Sequence, residues 1–112
     1  MNERDKIRFE DMRTEAQRII RFSLGKSRDD FLTDDMLLYA VLHAIEIIGE
    51  AANQISDESH NAYPDMPWRG MVGMRNLLIH DYHRISVDVI WQVTTVNIPE
   101  LLAQLNFILG AG

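Results

Sequence analysis

The sequence predicts an all-α protein, an up-down bundle of four helices with a kink in the last. Three observations carry that expectation. Chain breakers gather at only three places, residues 25–33, 56–67 and 82–86, and the segments between them space their apolar residues for helices rather than strands. The connections are short, which favours antiparallel neighbours. The 112 residues suit one domain, 1–112, with a single core.

The first segment, residues 3–24, puts Phe9, Met12, Ala16, Ile19, Ile20 and Ser23 on one face and charges on the other. Gly25 is placed to end it. The second, residues 34–56, has Thr33 as a cap and Asp34 and Asp35 at the positive end of the dipole. It is apolar round most of its circumference. Leu38, Val41, Leu42, Ile45, Ile48, Gly49 and Ala52 form one face; Met36, Ala40, Ala44, Ile47 and Ala51 form another. One core does not need both, so the second face is expected to meet a partner subunit. Between them Tyr39, His43, Glu46, Glu50 and Asn53 line one edge at spacings of four and three. That stripe is either a solvated edge or a cleft wall whose carboxylates hold arginines.

The third segment, residues 67–80, starts at Pro67, with Asp65 as a candidate cap. Trp68, Val72, Arg75, Ile79 and Tyr82 share one face; Arg69, Gly73, Asn76 and His80 share another. Gly70 and Gly73 each cost the helix about 1 kcal/mol relative to alanine, which suggests close approach of another backbone or a ligand. The fourth segment, residues 87–109, is capped by Ser86 and keeps its apolar phase through Pro99. An interior proline loses a hydrogen bond and clashes one turn back, so one kinked helix is expected rather than two.

With no cysteine, disulfides and thiolate metal sites are excluded, and a reducing cytoplasm fits. The N-terminus lacks a signal-type apolar core, and the apolar run at residues 36–45 is too short to span a bilayer. The net charge of −6 is unusual for a nucleic-acid binder. Yet eight of the eleven Lys and Arg lie in residues 1–28, so a locally basic face can exist on an acidic protein. Acidity would also suit docking onto a basic partner.

Arg75-Asn76-Leu77-Leu78-Ile79-His80-Asp81-Tyr82 carries the chemistry. Asn76 and His80, four apart, meet on one helix face. Arg75 points about 140° away from His80 on an ideal helix. Three arrangements could reunite them: the helix ends at His80, the long Arg side chain curls across, or two copies pool their motifs about a two-fold axis, the last favoured by the second apolar face of residues 34–56. Together these groups suit metal-free cleavage of RNA. The imidazole can take the 2′-OH proton or protonate the leaving 5′-oxygen. The guanidinium can grip phosphate oxygens as charge develops, and Asn76 can orient either partner. Each residue also has a structural reading: an ion pair from Arg75 to Glu46 or Glu50, a dipole-favoured His80 at a helix end, a core-edge Tyr82. A metal site from His80, Asp81 and His83, with His43 and His60 as further imidazoles, is a weaker alternative without a recognised pattern. No phosphate loop or cofactor signature is present, so no cofactor is expected.

The R-N-x3-H-x-Y pattern resembles the motif of the HEPN superfamily, in particular its HepT-like ribonuclease toxins. Ala44–Ala52 resembles the family's second helix, and Pro67-Trp68-Arg69, Gly73-Met74-Arg75-Asn76 and His80-Asp81-Tyr82 resemble its third helix and exit. The resemblance covers nearly the whole chain. It implies a homodimeric toxin whose two motifs line a shared cleft and cut RNA without a metal, with no DNA or membrane partner. Arg75 and His80 would be catalytic and Asn76 supporting, with Glu46, Glu50, Asp81 and Arg69 around them. It further implies a partner, a minimal nucleotidyltransferase of the MntA type, which silences the toxin by transferring AMP to the motif tyrosine, here Tyr82. The alternative is a non-catalytic helical dimer that serves as a scaffold for that enzyme.

Overall fold

Each long helix begins at a side-chain cap or a proline. In the computed structural model, which describes residues 1–110, α1 spans Glu3–Ser23 and Asn2 accepts the Asp5 N–H at 2.7 Å. It ends at Leu24, and Gly25 follows with φ +74°, a conformation that suits glycine. A one-turn helix, α2 (Asp30–Thr33), occupies the expected break. The cap of α3 (Asp35–Gln54) is Asp34, not Thr33; its carboxylate accepts the Leu37 N–H at 3.1 Å. The next break holds α4 (Asp57–Ala62), capped by Ser56. For α5 (Trp68–His80) the cap position belongs to Pro67, with no side-chain cap bond, so Asp65 does not play that part. Tyr82–Arg84 make a single 3-10 turn.

The last segment is helical throughout but changes gauge. α6 (Val87–Gln92) runs into a π-helical turn, Val93–Asn97, and then α7 (Ile98–Ile108). The Ile98 N–H donates to Val93 five residues back. This widened turn sits just before Pro99, where the regular ladder would break anyway, so the chain passes the proline without splitting into separate helices.

The four long elements pack as the expected bundle. α3 packs on both α1 and α5, while α7 packs on α1. Met71 of α5 and Leu101 of α7 join the same core, in a molecule of 42 × 32 × 20 Å. Phe9, Met12, Ala16 and Ile19 of α1 are fully buried, as their spacing predicts, against Val41, Ile45, Ile48 and Ala52 of α3 and Leu101 and Leu105 of α7. The packing also corrects one expectation. Ala44 and Ala51, assigned to a spare face of α3, are buried inside the protomer; Ala40 and Ile47 are half-buried, and only Met36 stands out, 84% exposed. The second apolar face is therefore mostly used by α3's own neighbours, and it does not by itself argue for a partner subunit.

A buried polar knot ties the N-terminus to the far end of α3. The Asp5 carboxylate accepts from the Ser56 N–H at 3.0 Å, from Ser56 Oγ at 2.5 Å and from Ser59 Oγ at 2.6 Å. Burial alone would raise its pKa, but these bonds outweigh that and hold the carboxyl below its usual value. An acid with a depressed folded pKa stabilises above its unfolded pKa and loses that contribution as pH falls through the folded one. Asp5→Ala is expected to cost about 3 kcal/mol by leaving three donors without their acceptor. It should also flatten the acid limb of a Tm-against-pH curve. An unchanged Tm and acid limb would contradict this role.

Candidate active site

The site forms along the seam where α5 crosses α3. Gly49 sets the distance. A Cβ there would lie 2.6 Å from the Met71 carbonyl oxygen and closer still to Arg75 Cβ, so only glycine lets the helices approach this far. Gly70 and Gly73, by contrast, have nothing within 4 Å of a virtual Cβ among the described residues. The close approach read into them is not made within the protomer, and Gly73 leaves open space on the motif's own face.

Across that seam Arg75 reaches Glu50: Nε donates to Oε2 at 2.8 Å and Nη2 lies 2.7 Å from the same oxygen. Of the two acids named from sequence, Glu50 is the partner; Glu46 is half-buried and makes no ion pair among the described residues. Gln54 donates to the other Glu50 oxygen at 2.8 Å. This bond, then the Arg75 fork, then the charge of Arg8 on α1 hold the Glu50 carboxyl below its ordinary pKa. The charge of Arg8 on α1 thus acts on the seam, and nothing local in the sequence signals it.

Arg75 does not stop at Glu50. Its Nη1 donates to Asn76 Oδ1 at 2.8 Å. The guanidinium is thus shared between Glu50 across the seam and the amide of the next residue, and it makes no hydrogen bond to His80 among the described residues. Each Nη keeps a further hydrogen for another acceptor. His80 ends α5, exposed and without a hydrogen bond among the described residues. Arg69 and Gly73 are exposed on the same face. These residues make an outward ledge: a held guanidinium, an amide and a free imidazole one helical turn further on.

Beyond His80 the groups diverge. Asp81 pairs with Arg84 at 3.2 Å rather than with the imidazole. Tyr82 is 40% exposed and lies edge-on to His83 with ring centroids 5.9 Å apart. Partial burial, then the neighbouring Tyr39 phenol, then the Asp35 carboxylate push the Tyr82 hydroxyl above its usual pKa. Among the described residues no three His, Asp or Glu side chains gather as metal ligands. His60 is stacked on Trp68 at 4.0 Å, and its Nε2 lies 2.9 Å from the Ala52 carbonyl, a structural role.

An apolar groove of about 410 Å³ lies between α5 and the α6–α7 segment, lined by Ile45, Ile48, Met71, Met74, Val93 and Leu101 among others. Met74 and Asn76 are about 200° apart round a helix, so groove and ledge occupy opposite sides of α5.

With this geometry in view, comparison with known proteins is specific. The family described as "Ribonuclease HepT-like" matches residues 12–108. The chain belongs to the HepT-like ribonuclease family. It is 38% identical over 93 residues to a Thermococcus cleftensis protein named "Probable ribonuclease HepT", covering 83% of this chain and 84% of that one. A candidate RNase of Methanocaldococcus jannaschii is 33% identical over 109 residues, 96% of this chain and 100% of its own length. Another from Caldanaerobacter subterraneus is 36% identical over 95 residues, 85% of each. No solved structure matches significantly. The all-helical architecture is that of a HEPN-like fold, and among the described residues no helix is long and apolar enough to cross a membrane.

Proposed function

We propose that this HepT-like protein is a metal-independent endoribonuclease, the toxin of a toxin–antitoxin pair, working as a homodimer in the cytoplasm. Its residues 1–112 act as one catalytic domain. Arg75 and His80 are the catalytic residues and Asn76 supports them; Glu50 holds Arg75, while Arg69, Glu46 and Asp81 border the cleft. The observation that carries this reading is the Arg75–Asn76 hydrogen bond of 2.8 Å, which holds a guanidinium beside an amide one helical turn before the free imidazole of His80.

The reaction needs one base, one acid and one anion clamp. A neutral His80 takes the ribose 2′-OH proton, and O2′ attacks phosphorus. The P–O5′ bond breaks, and the protonated His80 of a second copy gives its proton to O5′. The products are a 2′,3′-cyclic phosphate and a 5′-hydroxyl end. The free Nη hydrogens of Arg75 stabilise the charge that builds on the non-bridging oxygens. Purified protein is expected to cut single-stranded RNA in excess EDTA; cleavage only with added divalent ions, or none under either condition, would refute the reading.

Silencing follows from Tyr82. Tyr82 is 40% exposed and its hydroxyl is held above its usual pKa, so an adenylyl-transferring partner of the nucleotidyltransferase class must supply the base. AMP added there would put negative charge beside the cleft, repelling RNA and competing for the arginines. Co-expression with such a partner should add AMP-sized masses that vanish in Tyr82→Phe.

Backbone contact should be electrostatic. Removing one phosphate contact from a single strand lowers the slope of log affinity against log salt by about 0.7. Arg69→Ala is expected to do this while weakening all sequences alike, as binding titrations at several salt concentrations would read. An unchanged slope would place Arg69 off the RNA path.

One observation favours a second reading. Arg75 is already paired with Glu50, as a structural ion pair in a non-catalytic scaffold would be. His80 is not so locked. The two readings part in cells: growth arrest that requires both Arg75 and His80 fits the nuclease, and its absence fits the scaffold.

A further inference from the structure

α5 carries two glycines in its interior, Gly70 and Gly73, where alanine would hold the helix better. Neither has a positive φ, so backbone conformation does not demand them. A Cβ at either would meet nothing within 4 Å among the described residues, so packing inside the protomer does not demand them either. Their directions differ. Gly70 lines the apolar groove with Met71 and Met74. Gly73 is turned about 60° from Gly70 round the helix, toward the ledge. It lies within about 20° of the line of His80, which stands about 10 Å further along the axis.

The neighbours of Gly73 decide what passes over it. Arg69 and Asn76 flank it about one turn to either side, and both are exposed. Asn76 Oδ1 is taken by Arg75, which leaves the amide hydrogens of Asn76 to donate outward. Arg69 and His80 make no hydrogen bond or ion pair among the described residues. The row Arg69, Gly73, Asn76, His80 is therefore a line of free donors with bare helix backbone in its middle, and it holds neither a carboxylate nor an apolar side chain. A second helix crossing at Gly73 would bury those donors without acceptors, at a cost in free energy. A sugar–phosphate backbone brings acceptors for all of them.

We propose that Gly73 is a close-approach site for the backbone of single-stranded RNA. Its missing side chain lets the strand lie against α5 on the way to the scissile phosphate at His80, while Arg69 and Asn76 donate to phosphate oxygens on either side. This rests on the ribonuclease reading and deepens it. The helix forgoes stability at Gly73 to make room for substrate.

The test measures binding of a fluorescein-labelled single-stranded oligoribonucleotide by anisotropy, on the full chain carrying His80→Ala so that the strand stays intact. Melting temperature and mass by light scattering are read on the same samples. Gly73→Ala is expected to raise Tm by roughly 5 °C and yet weaken RNA binding about tenfold. Gly73→Leu should bind more weakly still. Gly70→Ala, turned toward the groove, should raise Tm equally and leave binding unchanged. A loss of binding in a more stable protein is what a merely structural glycine would not give. Unchanged binding in Gly73→Ala would overturn the site and leave the ribonuclease reading standing. So would an equal loss in Gly70→Ala, or a loss accompanied by a lower Tm or a changed mass, which would assign Gly73 to a contact between copies of the chain. If the His80→Ala parent binds no RNA and wild type cuts none, the ribonuclease reading falls and this site with it.

Discussion

His80→Ala is expected to lower RNA cleavage by about 10²–10⁴-fold, the usual contribution of a positioned acid or base, with no change in Tm. The second half is as specific as the first. His80 is exposed at the end of α5 and makes no hydrogen bond among the described residues, so its removal breaks nothing that folds the chain. Arg75→Ala should also abolish cleavage but should lower Tm, because its side chain is only 23% exposed and its stem packs into the α3–α5 seam against Gly49. Arg75→Lys keeps the charge but loses the planar fork that bridges Glu50 and Asn76, so activity should stay low. Gel assays of a defined RNA beside thermal melts check all three. A fully active His80→Ala protein would remove the imidazole from the mechanism.

Gly49→Ala carries the second large effect, and against helix propensity. Alanine should favour α3 by about 1 kcal/mol over glycine. Its Cβ would instead lie 2.6 Å from the Met71 carbonyl oxygen and nearer still to Arg75 Cβ. Neither is the far end of a flexible chain, so α5 itself must move. Overpacking of this kind costs about 1–3 kcal/mol, and a rigid backbone contact belongs at or above the upper end. A net loss of about 2 kcal/mol is expected, a fall in Tm of roughly 10 °C for a domain of this size. Because α5 carries the whole motif, a shift of its register should also cut cleavage by about 10²-fold even where the protein remains folded. Melting and cleavage assays below Tm separate the two effects. A more stable Gly49→Ala protein would show that the seam can open without loss.

What could be read from the chain, and what could not, follows from the range of each interaction. The buried stripe of α1 and the caps at Ser86 and Gly25 are local patterns, and all are where the sequence puts them. The unbroken helical phase through Pro99 was also readable, although the π-turn that absorbs the proline was not. The short helices α2 and α4 escaped because one or two turns give no periodicity to detect. The spare face of α3 misled for a different reason: alanine spacing reports close packing without saying which helix packs there. Within the site, Glu50 as a partner of Arg75 was one of two options set by helix phase. Arg8 and Gly49 became visible only once α1, α3 and α5 were brought together, since no sequence neighbour announces a contact across three helices.

The central claim is that two protomers supply guanidinium and imidazole groups to one scissile phosphate. Mixing the Arg75→Ala and His80→Ala chains, after brief unfolding to exchange subunits, tests it most directly. Each variant alone should be inactive. The mixture should regain part of the wild-type cleavage, because a mixed pair offers one intact Arg75 and one intact His80 across the shared cleft and lacks only the second imidazole. A mixture as silent as its parents, or wild-type protein that cuts RNA as a monomer, would contradict the account.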